Sequence, residues 1–229
     1  MGTESFRRAR TPEQRGARRD HILAVTRGLL RGRRVADVSL NEIARQVGLA
    51  KSNVLRYFGS REAILLVLTE REYAQWVEEL ESGAGGTVAG ETGASASASS
   101  DARVQALAAD LARTVTRRPL LCELLGCTTT VLEHNVTVDE VLDFKLAIHG
   151  HMERLVRLIE SRIGALDDAG MLLFALHAVI AEVWAFGHPA PTLAEAAARD
   201  ARIMQPPGDL APTMARALTL VLRGARKAQ

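Results

Sequence analysis

The stretch from Ser39 to Phe58, SLNEIARQVGLAKSNVLRYF, limits what this chain can fold into more than any other. Ser39 followed by Glu42 has the S-x-x-E form of a capping box at a helix start. Leu40, Ile43, Ala44 and Val47 then fall on one face at helical spacing. Gly48 stands where a helix can end in a backbone of positive φ without a Cβ penalty. A second short helix is expected from about Ala50 to Phe58, with Val54 and Phe58 as its buried i,i+4 pair. Ala44 is small where the two helices must cross. The remaining face of the second helix carries Lys51, Ser52, Asn53 and Arg56, three polar donors and a long cation. Two short helices joined by a glycine turn form a helix-turn-helix, whose second helix can enter the major groove of DNA. An ordinary helical corner would explain the apolar positions but not that polar face.

Charge partition points the same way. Residues 1–59 hold 13 Lys and Arg against 5 Asp and Glu, whereas residues 60–229 hold 16 against 22. The basic charge therefore sits with the helix-turn-helix, as a phosphate-binding surface requires. Residues 1–16 are poor in apolar side chains and carry Arg7, Arg8, Arg10 and Arg15. With Pro12 and Gly16 they read as a flexible basic arm, either a phosphate or minor-groove contact or a solvated tail.

The rest of the chain reads as all-α. Apolar periodicity predicts a helix from Ala17 to about Leu30, completing a three-helix head over 17–60. Ser60 is the next N-cap, and a long helix runs from about Arg61 to Glu81, at about 1.5 Å per residue long enough to leave the head. Residues 82–100 contain five Gly, five Ser and five Ala and read as a flexible loop. Further helices are expected at 101–117, from Pro119, at 138–163, 169–186 and 210–226, with one at 193–204 inside a connection holding Pro189, Pro191, Pro206 and Pro207. Residues 61–229 thus form a larger helical-bundle domain. The apolar run Met171–Phe186 is interrupted by His177 and Glu182 and reads as a buried helix rather than a membrane span. No secretory signal is visible, and a cytoplasmic location is expected.

Catalytic chemistry finds little support. Cys122 and Cys127 form an isolated C-x4-C, a poor metal or redox motif, and read as reduced core thiols. His149-Gly150-His151 is a poor chelate on a helix, and Glu133 beside His134 is the one acid/base pair in view. No catalytic residue, metal or cofactor is assigned.

The first 65 residues or so resemble the N-terminal domain of TetR/AcrR-type transcriptional regulators. The matching residues are Val38-Ser39-Leu40-Asn41-Glu42-Ile43-Ala44, Val47-Gly48-Leu49, Arg56-Tyr57-Phe58 and Ser60-Arg61-Glu62-Ala63-Ile64-Leu65. The resemblance implies a homodimer whose heads read the two halves of a palindromic operator in double-stranded DNA. It implies a C-terminal domain that binds a small-molecule effector, and a four-helix dimer interface made by 169–186 and 210–226. Effector binding would move the long helix and change the separation of the heads, releasing a repressor from DNA. Carried over position by position, Asn41, Lys51, Ser52, Asn53 and Arg56 sit where base or nearby phosphate contacts occur, and Ser39, Tyr57 and Arg61 where backbone contacts occur. The chain departs from the pattern at Ala50, commonly a Ser cap, and at Leu55, often a phosphate-contacting Tyr. Candidate pocket residues are His134, Phe144, Ile148, His177 and Trp184, with Glu182 as a further polar group. Phe144, Ile148 and Trp184, with Met152 and Phe186, suit core or dimer contacts better than a defined ligand box. The competing reading is a dimeric DNA-binding protein whose C-terminal domain is a protein-interaction module without an effector. An effector predicts an internal cavity; the alternative predicts a packed core. An enzyme with an appended helix-turn-helix would need a convergent polar site.

Overall fold

The computed structural model describes residues 11–83, 99–200, 202–203 and 208–227. Ten α-helices run along them: α1 (Pro12–Leu29), α2 (Leu40–Val47), α3 (Lys51–Leu55), α4 (Arg61–Glu81), α5 (Ser100–Thr116), α6 (Pro119–Cys127), α7 (Val138–Ile163), α8 (Ala169–Gly187), α9 (Pro191–Arg199) and α10 (Leu210–Gly224). Short 3-10 turns stand at Val35–Asp37 and Leu132–His134. Among the described residues the only β-type pairing is one isolated bridge, Leu166 with Arg226. The fold is all-α.

α1 begins at Pro12, so the basic arm expected over 1–16 does not reach that far. Proline is well suited to the first helical position, where its missing N–H would have no partner. Thr11 and Gln14 close a full capping box ahead of it. The rest of that arm, residues 1–10, lies outside the described residues, as does most of the 82–100 loop. The expected helix at 193–204 instead runs from Pro191 to Arg199, again with proline in the first turn.

α1, α2 and α3 make the head, closed over Ile22, Leu23, Val35, Val38, Ile43, Val47, Val54 and Phe58. α4 leaves the head and enters the body, packing on α5, α6 and α7. Its side chains Leu65, Leu68, Tyr73, Trp76 and Val77 are buried. One continuous apolar core therefore runs through both parts. α10 packs on both α5 and α8, and α6 lies on α8.

α8 is not the buried helix its composition suggests. Leu172, Leu176 and Ile180 face inward, but Met171 and Phe174 are exposed. It is long and apolar enough to cross a membrane, yet the fold covers only a minor part of it. On α10, Leu220 is 70% exposed, leaving a further apolar position uncovered.

Head and body are also joined by charge. Glu72 of α4 is buried, 4% exposed. It takes Arg27 Nε of α1 at 2.6 Å and has Arg118 of the α5–α6 turn at 3.9 Å. Removing one partner of a buried carboxylate leaves its desolvation uncompensated. Arg27→Ala should lower the unfolding free energy in urea by about 2 kcal/mol. Exposed Arg31→Ala should stay within about 0.5 kcal/mol of the parent protein.

Candidate nucleic-acid interface and ligand cleft

The helix-turn-helix is built as its sequence requires, with one change. Ser39 Oγ accepts from Glu42 N at 3.2 Å, capping α2. The reciprocal half of the expected box is missing. Glu42 instead takes Arg33 at 2.7 and 3.2 Å, and that hydrogen-bonded pairing holds its carboxyl below the usual range. Gly48 ends α2 at φ 74°, and Leu49 N returns to Ala44 O at 3.0 Å. Ala50 precedes α3 with no side-chain cap, so Asn53 N and Val54 N are taken up by its backbone carbonyl alone. Val54 and Phe58 are both buried as an i,i+4 pair.

The sequence-derived contact residues fall into two groups. Lys51, Ser52, Asn53 and Arg56 of the recognition segment are exposed, as is Asn41 of α2. Their side chains make no hydrogen bond or ion pair among the described residues and are available to a partner. Arg61 is different. Its Nε donates to Val38 O at 2.6 Å, Nη1 to Glu62 at 2.9 Å and Nη2 to Val35 O. That guanidinium is committed to the inside of the head, and the geometry does not support the expected DNA-backbone contact. The carbonyls that precede α2 required it, a demand that motif matching does not register. The Ser39 hydroxyl is occupied by its cap. Tyr57 is half-buried and its carbonyl accepts from Arg19, whose guanidinium lies 4.1 Å from the Phe58 ring centroid.

A second site opens in the body. A cleft of about 800 Å³ runs between α7 and α8, with α6 at one end. Leu125, Met152, Val156, Leu173 and Phe174 give it apolar walls, and Ala169, Gly170, Ala178 and Ala181 make room along α8. Lys145, His149, Glu153 and Arg157 stand among the lining residues from α7. Lys145 is paired with Glu133 at 2.6 Å, so Glu133 is not partnered with His134. Arg157 and His149 both approach Glu153, at 4.0 and 3.4 Å.

Of the five pocket residues expected from sequence, His177 alone lines this cleft. Phe144 lines a smaller cavity of about 320 Å³ between α4, α7 and the end of the recognition segment. Ile148 is core, His134 is exposed, and Trp184 stacks on His188 with centroids 3.9 Å apart. Composition singled out large residues; the cleft is made by small ones. The repeat Gly170, Leu173, His177, Ala181 opposite Lys145, His149, Met152, Val156 carried the signal in its spacing.

His177 Nε2 lies 2.9 Å from the hydroxyl of Tyr73, which is fully buried on α4. Burial pushes the imidazole pKa down to about 4 and the Tyr73 phenol up. The ring is therefore neutral near pH 7. Burial also raises the Cys122 thiol to about 12 and Cys127 to about 11, consistent with unreactive thiols.

Comparison with known proteins decides the family. Residues 70–229 match the model described as the tetracyclin repressor-like C-terminal domain, and residues 22–68 match that of bacterial regulatory proteins of the tetR family. The chain belongs to the TetR family. That family is one of DNA-binding regulators rather than enzymes. The transcriptional regulator EthR of Mycobacterium tuberculosis is 40% identical over 50 residues, 22% of this chain and 23% of that protein. The chain thus aligns with about a quarter of this relative's length. A TetR regulator from Rhodococcus sp. RHA1 shares the fold with TM-score 0.52 at 18% identity, over 90% of this chain and 96% of that one. Thermus thermophilus FadR, a repressor solved with lauroyl-CoA, gives TM-score 0.53 at 19% identity, over 92% and 97%.

The two arginines separate in a simple experiment. Arg56→Ala should leave thermal unfolding unchanged and weaken DNA binding in gel shifts. Arg61→Ala should lower the unfolding midpoint by several degrees. For His177 the sign follows from its lowered pKa: the unfolded chain takes up the proton first, so stability is lost as pH falls from 6.5 toward 4. His177→Phe should flatten that part of the stability profile, read by denaturant midpoints across the range.

Proposed function

We propose that the chain is a cytoplasmic, homodimeric repressor that binds a palindromic operator and is released from it by a small molecule held in the α7–α8 cleft. Lys51, Ser52, Asn53, Arg56 and Asn41 would contact DNA, with Tyr57 close to the phosphates. The observation carrying the effector reading is the Tyr73–His177 hydrogen bond, which ties the cleft to α4. Tyr73 is twelve residues along α4 from Arg61, a distance of about 18 Å in a helix. A ligand that displaces α8 from α7 therefore pulls on the element that carries the recognition segment. Half-sites on DNA have a fixed separation, so a small shift of the heads costs operator affinity.

The open cleft favours this reading over a protein-interaction module with a packed body. Its walls suit an apolar chain or ring, and the lauroyl-CoA bound by the Thermus relative contains one. The exposed apolar face of α8, with Leu220 of α10, supplies the surface for a second copy.

Selection of bound sequences from a random DNA pool should return a palindrome, and recovery of no preferred sequence would sink the operator reading. Phe174→Glu with Leu220→Arg should convert the dimer to monomer in sedimentation and lose tight operator binding. A double variant that remains dimeric would exclude this face as the interface.

A further inference from the structure

The Tyr73–His177 pair carries more information than a link. The Tyr73 hydroxyl is fully buried, and His177 Nε2 is its one polar partner among the described residues. A buried hydroxyl proton without an acceptor is strongly disfavoured, so the proton belongs on the line to Nε2. Nε2 must then offer its lone pair. A neutral imidazole has one N–H and one lone pair, which puts the ring proton on Nδ1. The ring stays neutral because burial lowers its affinity for a second proton. Nδ1 has no hydrogen-bond partner among the described residues. His188, by contrast, closes its own Nδ1 onto Trp184 O at 2.9 Å. His177 thus brings an unused N–H to the lining of an otherwise mainly apolar cleft.

We propose that the cleft takes an uncharged, elongated apolar molecule bearing a hydrogen-bond acceptor such as a ketone, ester or amide carbonyl, which receives the Nδ1–H of His177. This rests on the effector reading above and specifies its chemistry. Three features exclude other classes. A donor-only group meets a ring nitrogen that already carries a proton. A molecule without polar atoms forfeits the one directed contact the wall offers. An anion gains little, because Lys145 is neutralised by Glu133, while Arg157 and His149 share Glu153. The tautomer is dictated by Tyr73, so an α4 residue sets the ligand preference. Ligand chemistry and the helix leading to DNA are thereby coupled through one ring.

The test uses the full chain with methyl decanoate, decane and decanoate as probes, followed by tryptophan fluorescence because Trp76 packs edge-on against Tyr73. Methyl decanoate should bind about fivefold more tightly than decane, the gain of one ordinary hydrogen bond. His177→Phe should bring the two to equal affinity without abolishing either. Decanoate should bind no more tightly than the ester. A long-range nitrogen–proton NMR correlation spectrum of labelled protein should show His177 protonated at Nδ1 near pH 7, and Tyr73→Phe should weaken that preference. Equal binding of ester and alkane by the parent protein, tighter binding of the acid, or a ring protonated at Nε2 would each overturn the acceptor assignment while leaving an effector cleft in place. Failure of all three probes, and of lauroyl-CoA, to bind would remove the effector reading itself.

Discussion

The grip of Arg61 on the carbonyls of Val35 and Val38 is the constraint on which the rest of this architecture turns. One guanidinium at the first residue of α4 satisfies backbone groups in the turn that leads into α2. With Ser60 capping α4 through Ala63 N at 2.9 Å, the helix is fixed to the head at its very start. Planar, multiply bonded guanidinium groups hold orientation better than a single contact. Tilting α4 therefore carries the recognition segment with it instead of bending a joint between them. The same turn touches the body, since Val35 N donates to Glu123 at 3.3 Å and Arg34 reaches His188 O at 3.3 Å. These contacts, with the Arg27–Glu72 pair, give the head a defined seat on the body.

Along α4 the character of the contacts changes. Near the head it is held by backbone carbonyls. In the middle it is held by aromatic packing, Tyr73 against Trp76 and His177, with Trp76 Nε1 donating to Thr114 at 2.9 Å. At its C-terminal end it is held by arginines, Arg117 and Arg118 on Glu79 and Arg154 on Glu81. The middle segment also carries charge pairs, Glu72 with Arg27, Arg71 with Asp20 and Glu70 with His151, and it is there that the cleft meets the helix. A half-buried imidazole and a buried phenol are better placed to respond to a ligand than an outer fringe of salt bridges, which solvent screens.

The sequence was most legible where local rules decide the structure. Ser39, Gly48, Ser60 and the α7 span from Val138 to Ile163 are set by caps, a positive φ and unbroken periodicity. The polar face of the recognition segment could be read because nothing in the body competes for it. Legibility failed where a residue's role depends on what folds against it. Arg61 matched a motif position but serves two carbonyls brought near by the fold. Pro12 looked like a breaker and is a helix start. Phe144, Ile148 and Trp184 had the size expected of pocket residues, yet the cleft exists because alanines and a glycine on α8 leave space. Such space is a property of two facing helices, not of either alone.

The uncovered flank of α8 has a consequence for how this protein depends on its own abundance. A helix so apolar, with Met171 and Phe174 in water, leaves a lone subunit carrying surface that water disfavours. Association of two copies would add its free energy to that of folding, so the apparent stability would rise with the logarithm of concentration. Dilution would then act on the protein twice, thinning its encounters with DNA and loosening the subunits themselves. Occupancy of a regulatory site by such a pair would fall more steeply than in simple proportion as the protein becomes scarce.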